Sequence, residues 1–346
     1  MSLVKRLSVG ALGVALLGVI ARPGEADACG GFFVRNTTNV PSLSAEQVLI
    51  VHDEAKGLEH FIREVAFRDG DQTFGFVVPV PTRPEVAAVK KRPFAGLDRD
   101  FPMGLEPPGG GKGSLGHGAG VGSGGEGVTV LEVKQVGSFK AFVLAATDTK
   151  GLRGWLDENQ FTTTKQSEAW LDGYVKQGFF FVAMRHDPPA AGSKKRKRSS
   201  VIAETVRLSF ATPVPYYPYR EPDHDGLVAS ERLVAVWLMT DGAPRVPVAV
   251  RDADGKHELV RPFREGRRYT PDDAAAAGAV GEDVRAFLPA VAKGSTTLTV
   301  QVFEDQKPSR RGFGDVLFVP STANDKAVAD TKRLTALLDP SSAGAQ

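Results

Sequence analysis

The chain has a single cysteine, Cys29, which excludes an intramolecular disulfide and any cysteine-rich zinc or iron–sulfur centre. Long apolar runs are missing beyond the N-terminus. The strongest later stretch, such as Phe179 to Met184, is strand-sized, far below the roughly 20 residues that cross a bilayer. Neither sign of charge dominates, with 43 Lys and Arg against 41 Asp and Glu, so no global field draws the chain to nucleic acid or anionic lipid. No Gly-x-Ser-x-Gly elbow occurs; Gly122-Ser123-Gly124 lies in a glycine tract without the strand–turn–helix setting that motif needs.

What the chain has is a globular share of apolar residues and many turn formers, 38 glycines and 23 prolines, which argue against a bundle of long helices. The first 28 residues read as an export leader. Lys5 and Arg6 form a basic start, Leu7 to Ala21 an apolar stretch, and Ala26-Asp27-Ala28 a small-x-small cleavage site preceded by Pro23 and Gly24. Cleavage after Ala28 leaves Cys29 first, with three readings: a lipid anchor, a nucleophile activated by its own α-amine, or a residue packed where the chain enters its first sheet. Asp27 and Ala26 suit a lipidation signal poorly, and the structural reading is preferred. The mature chain is expected to lack a transmembrane span and to reside in the periplasm, cell envelope or medium.

Alternation and turns place strands at Val48–Val51, His60–Phe67 and Thr73–Val78, a meander within residues 29–103 that Pro79, Pro81 and Pro84 should end. Between Gly104 and Gly127 glycine fills half the positions; ordering such a stretch costs backbone entropy with little side chain to bury, so it reads as a flexible loop or linker. The main body, residues 128–340, starts with strands at Val128–Val136 and Phe139–Ala145. Apolar residues at helical spacing, Leu152, Trp155 and Leu156, then Trp170, Leu171 and Tyr174, mark a helical pair over Thr149–Glu158 and Ser167–Lys176. Further strands are expected at Phe179–Met184, Val201–Phe210, Arg232–Met239, Val246–Val250, Thr296–Phe303 and Val316–Val319, with helices at Val284–Val291 and Asn324–Leu338. The cations Lys194 to Arg198 read as a solvated hairpin tip, and Arg261, Arg264, Arg267 and Arg268 as a second basic patch. The fold class is α+β and β-rich, with antiparallel sheets and the helical pair inserted near residues 149–176.

Candidate sites are few. Tyr216, Tyr217, Tyr219 and Arg220 end a Pro-rich extended segment that either displays its rings to a ligand or caps one end of a sheet. Asp223, His224 and Asp225 have metal-ligand types, yet His224 has no second histidine at offset two or four, and Asp-His-Asp-Gly is also turn chemistry. His52-Asp53-Glu54 reads as a hairpin end. No cofactor is implied.

The stretches Cys29-Gly30-Gly31-Phe32-Phe33, Ser44 to Ile50, Phe74 to Pro81, Gln135-Val136-Gly137, Tyr174 to Ala183 and Leu208 to Val214, ending Tyr217-Pro218-Tyr219-Arg220, together resemble the bacterial domain of unknown function 2330 over about residues 29–240. The resemblance implies export and one continuous architecture; it transfers no catalytic residue. Some members carry a C-terminal membrane or sorting segment, which the polar tail here does not match. The functional expectation is a non-catalytic binding or structural protein of the envelope or medium, acting on an envelope or extracellular ligand and not on nucleic acid. The alternative is a hydrolase-like enzyme using Cys29 or a His/Asp cluster around His224.

Overall fold

The computed structural model describes residues 31–34, 42–68, 73–90, 92–102, 127–137, 139–186, 201–202, 205–222, 233–241, 243–253, 256–269, 298–305 and 312–321. The leader, Cys29, residues 104–126 of the glycine tract, Lys194–Arg198, Asp223-His224-Asp225 and the helices expected at Val284–Val291 and Asn324–Leu338 lie outside them.

The chain opens with β1 (Gly31–Val34), the long hairpin β2 (Ser42–Asp53) and β3 (Leu58–Arg68), β4 (Phe74–Val80), β5 (Glu85–Ala88) and helix α1 (Phe94–Asp100). Strands β6 (Val128–Val136) and β7 (Phe139–Ala146) lead into helices α2 (Thr149–Glu158) and α3 (Lys165–Val175), and β8 (Phe180–His186) follows. Next come β9 (Val201–Ile202), β10 (Val206–Ala211), β11 (Tyr216–Tyr217), β12 (Leu233–Asp241), β13 (Arg245–Ala253), β14 (Lys256–Val260), β15 (Phe263–Tyr269), β16 (Leu298–Asp305) and β17 (Val316–Pro320).

These strands form three sheets: a five-stranded one ordered β1-β4-β8-β7-β6, an eight-stranded one ordered β15-β16-β12-β2-β3-β10-β5 with β9 beside β3, and a four-stranded one ordered β11-β17-β13-β14. The eight-stranded sheet is covered on both faces, which explains why Val48–Val51 is apolar without a break. Val48 and Ile50 point into the main core, with Phe61, Phe76, Phe181 and Leu208. Leu49 and Val51 point the other way, into a smaller core with Trp237, Val300 and, from α1, Phe94 and Leu97. The main core runs from Phe33 to Val319, so strands on either side of the glycine tract share it.

The helical pair follows its apolar spacing. Asp148 caps α2 by accepting from the Gly151 N–H at 2.7 Å, and Leu152, Trp155 and Leu156 are its buried face. Thr164 and Ser167 form a reciprocal capping box on α3, whose buried face carries Trp170, Leu171 and Tyr174. In the β2–β3 turn, Gly57 has φ +55°, a conformation that Cβ-bearing residues disfavour.

Four features depart from the sequence reading. Strand β4 continues through Pro79 to Val80: pairing with β1 stops at Val77, and the Pro79 carbonyl turns to Tyr216 Oη (3.4 Å), so the ladder with β8 needs no donor there. Strands β2 and β12 pair in parallel, a mixed ladder inside an otherwise antiparallel sheet. The stretch 201–210 divides into β9 and β10. The basic patch near Arg264 is an edge strand whose cations are matched locally, Arg264 to Glu304 at 2.7 Å and Arg268 to Glu265 at 2.7 Å.

Gly75, on β4 between β1 and β8, lies so close to the Phe161 ring and the Met184 carbonyl that a Cβ has no room. Gly75→Ala is expected to destabilise the fold by about 1–3 kcal/mol, read as a lower urea midpoint with an unchanged slope.

Candidate functional site

The segment Thr212–Arg220 gathers most of the polar chemistry of the interior. Pro213, Pro215 and Pro218 keep it extended and limit its ladder bonds, so only Tyr216 and Tyr217 pair, opposite Leu317 and Val316 of β17. Tyr216, Tyr217 and Tyr219 are completely buried. Display of these rings to a ligand is therefore corrected: they cap the core. A buried phenol needs a hydrogen-bond partner, and each one donates to a carboxylate. Tyr216 Oη reaches Asp315 at 2.9 Å, Tyr217 Oη reaches Glu46 at 3.2 Å, and Tyr219 Oη reaches Asp305 at 3.1 Å.

Asp315 collects the most bonds. Besides Tyr216 it accepts from Tyr174 Oη of α3 (2.9 and 3.0 Å) and from the Arg220 N–H (2.9 Å). Burial raises its pKa, while these donors pull it down. Burial, followed by the neighbouring Asp315, holds the Tyr174 and Tyr216 phenols well above their ordinary range. Arg220 is fixed on both sides: its carbonyl accepts from Trp170 Nε1 at 3.0 Å, and its guanidinium lies 5.7 Å from the Tyr174 ring centre. Gly173 permits that approach, since a Cβ there would come within 2.8 Å of Arg220 Nη1.

The inner face of the eight-stranded sheet supplies the other partners. Glu46, His52, Glu59 and Arg63 occupy inward positions of β2 and β3, each at most 2% exposed. Arg63 Nε stands 2.8 Å from Glu46 Oε1, without the alignment of a good hydrogen bond, and its guanidinium lies over the Phe76 ring. Glu59 Oε2 accepts the Tyr216 N–H at 2.7 Å. Burial pushes the Glu59 pKa well above its ordinary 4.5, the one hydrogen bond opposing weakly. His52 Nε2 is 3.0 Å from the Thr212 carbonyl, so it carries the proton; burial lowers the pKa of the ring.

On the opposite face of the same sheet, His60 Nδ1 and Ser209 Oγ are 2.8 Å apart across the β3–β10 ladder. Glu85 stands opposite Ser209 on β5, and Arg207 lies two residues before it. A base beside a hydroxyl resembles an activated nucleophile. Ser209, however, sits inside a strand paired on both sides. Main-chain N–H groups there serve the ladders, so none converge on a developing oxyanion.

Sequence reasoning singled out the tyrosines and Arg220 but not Asp315, Glu59 or the His60–Ser209 pair. The available signal was the polar parity of the hairpin strands: Glu46 and His52, then Glu59 and Arg63, interrupt faces that are otherwise apolar. Among the described residues no group of three or more His, Cys, Asp and Glu could hold a metal ion, and no helix is long and apolar enough to cross a membrane.

These features define a strand-dominant α+β protein with a polar seam inside its main core. The chain belongs to the bacterial family described as "Uncharacterized protein conserved in bacteria (DUF2330)", whose profile matches residues 23–224, more than half of it. No curated protein matches. Among solved structures, the crystal structure of baculovirus P35 is similar at 7% identity over 81% of this chain and 97% of that one, with a TM-score of 0.37, a likeness too slight to carry an argument.

A buried acid that is neutral when folded loses relative stability as the unfolded form ionises. With its folded pKa raised, Glu59 favours the native state fully below pH 4.5, and the advantage declines as pH rises from there toward the folded value. Glu59→Gln keeps the acceptor for Tyr216 N–H and cannot ionise. Its urea midpoint relative to wild type is expected to rise as pH increases above 4.5; a difference independent of pH would show that the native state does not hold Glu59 neutral.

Proposed function

We propose that this is an exported protein of the bacterial envelope or medium whose work is binding or structural support and not catalysis. The observation that carries the reading is the direction of its interior polar groups. Tyr174, Tyr216, Tyr217 and Tyr219 are spent on Asp315, Glu46 and Asp305, which fastens segments together within the core. Export is supported by the leader-like residues 1–28 and by the position of β1, whose first residue, Gly31, follows the small-x-small site almost at once. Its ligand would be a component of the envelope or its surroundings.

Intact mass of the protein recovered from cell fractions and medium tests the export half. A species spanning Cys29–Gln346 with an unmodified thiol is expected. Added diacylglycerol and acyl mass in the membrane fraction would convert it to an anchored lipoprotein, and an unprocessed cytoplasmic chain would remove the proposal.

The His60–Ser209 contact favours a second reading, a hydrolase-like enzyme, because burial lowers the His60 pKa and leaves a neutral base beside the hydroxyl. A serine-reactive fluorophosphonate separates the two. No labelling above background is expected, given the missing oxyanion donors. Stoichiometric labelling that Ser209→Ala abolishes would establish the enzyme.

A further inference from the structure

The start of β1 lies beside the Asp315 cluster. Gly31 stands opposite Val77 of β4, and a Cβ on Gly31 would come within 2.9 Å of the Trp170 ring, so the chain enters the five-stranded sheet directly against α3. Trp170 in turn packs on Tyr174, with ring centres 5.2 Å apart. Carried two residues further back, the same antiparallel register sets position 29 level with Pro79. Pro79 has no N–H to offer a neighbour, and its carbonyl accepts from Tyr216 Oη at 3.4 Å. That hydroxyl is 2.9 Å from Asp315. Two residues reach at most about 7 Å, so a chain that begins at position 29 has its end at this corner.

Asp315 has hydrogen-bond donors but no counter-ion. Tyr174 Oη, Tyr216 Oη and the Arg220 N–H are all neutral; they occupy its lone pairs without cancelling its charge. Among the described residues the cation that acts on it is the Arg220 guanidinium, which lies over the Tyr174 ring and forms no ion pair with the carboxylate. A carboxylate drawn away from water is costly unless a cation joins it. Asp315 is not wholly enclosed, so a group arriving along the edge of β4 has access to it.

Removal of the leader creates such a cation at that place. While residues 1–28 are attached, position 29 contributes an uncharged peptide group. A leader peptidase hydrolyses the Ala28–Cys29 bond with one water: the C–N bond breaks, Ala28 keeps a carboxylate, and the Cys29 nitrogen takes up protons to become an α-ammonium. With an ordinary pKa of about 8, that group is charged at neutral pH. Glu59, which accepts the Tyr216 N–H at 2.7 Å, is the rival carboxyl on the far side of Tyr216.

We infer that the α-ammonium of Cys29, freed when the leader is removed, forms an ion pair with Asp315, so that the polar cluster is completed only in the mature chain. This rests on the reading of residues 1–28 as a cleaved leader. The pair ties the edge strand β1 to the chain just before β17, where α3 and the Pro-rich segment are already fastened. In the precursor Asp315 lacks its counter-ion and those elements are held less firmly. Cleavage of one peptide bond thus switches the fold from a looser to a tighter state.

The mature end can be made in vitro by a fusion protease that cuts immediately before Cys29, so the outcome does not depend on export; a companion chain keeps Ala28. Acetic anhydride labelling of the α-amine is followed against pH on the N-terminal peptide, after hydroxylamine has cleared the thiol. In the folded chain the amine is expected to titrate above its ordinary value of about 8 and to label about tenfold more slowly than in urea. Burial without a counter-ion would shift the titration downward instead. Asp315→Asn is expected to return the amine to its ordinary range, and Glu59→Gln to leave it raised. The released chain should melt about 2–4 °C above the chain that keeps Ala28, a difference that vanishes in Asp315→Asn. An amine titrating at or below its ordinary value in the folded wild-type chain would overturn the inference, and that titration decides even where Asp315→Asn does not fold. A melting difference that survives Asp315→Asn, or an amine that responds to Glu59→Gln and not to Asp315→Asn, would overturn it too. An Ala28–Cys29 bond found uncut in cells would remove the export reading and leave the titration as it stands.

Discussion

The carboxylate of Asp315 is the point where three separate elements of this fold meet. It comes from the chain just before β17, and it receives a hydroxyl from α3, a hydroxyl from β11 and a main-chain N–H from Arg220. The helical pair, the Pro-rich segment and the four-stranded sheet are held in one arrangement by this group. Hydrogen bonds to a charged acceptor are stronger than neutral ones, about 1.5–3 kcal/mol each, but a buried carboxylate is costly unless its lone pairs are filled. Three donors fill them.

The same trade recurs across the inner face of the large sheet. Glu46, Glu59, Arg63 and Asp305 are charges or acids placed where Val or Leu would pack at lower cost. Their partners come from distant parts of the chain: Tyr217 for Glu46, the Tyr216 N–H for Glu59, Tyr219 for Asp305. Apolar side chains in these positions would let the Thr212–Arg220 segment slide, whereas polar ones admit one register only. The sheet edges are guarded by similar means. β6 carries a bulge between Val130 and Glu132, and β15 carries one between Glu265 and Arg267 together with exposed arginines, devices that discourage pairing with another chain.

Elements with a strong local pattern were legible in the sequence. The alternation and turn around β2 and β3, the apolar spacing of α2 and α3, and the runs at β8, β16 and β17 all lie where residue order places them. Missed elements lack a local signal. β5 is four residues long, α1 is seven and starts after Pro93 without a side-chain cap, and β15 carries three arginines and a glutamate among its seven residues, so its composition suggested a basic surface patch. Pro79 misled for a different reason: a proline stops a strand only where its neighbour needs the missing N–H, and that depends on where β1 ends. The polar seam was half visible. Tyrosines among prolines announced a special segment, but Asp315 lies about 100 residues later and looks like any acidic turn residue. Only folding brings the two together.

The parallel ladder between β2 and β12 sets the order in which this molecule can assemble. Ala45 is level with Leu233, so the middle of the largest sheet joins residues roughly 190 positions apart, and contacts of such long range form slowly because the intervening chain must first be confined. The β2–β3 hairpin can close early, yet it exposes apolar side chains on both faces until β12 arrives. A chain delivered from its N-terminus therefore spends most of its emergence as a half-built sheet with sticky surfaces. It becomes a folded object abruptly, late in its own synthesis, and in that interval it depends on whatever shields unfinished strands in its compartment.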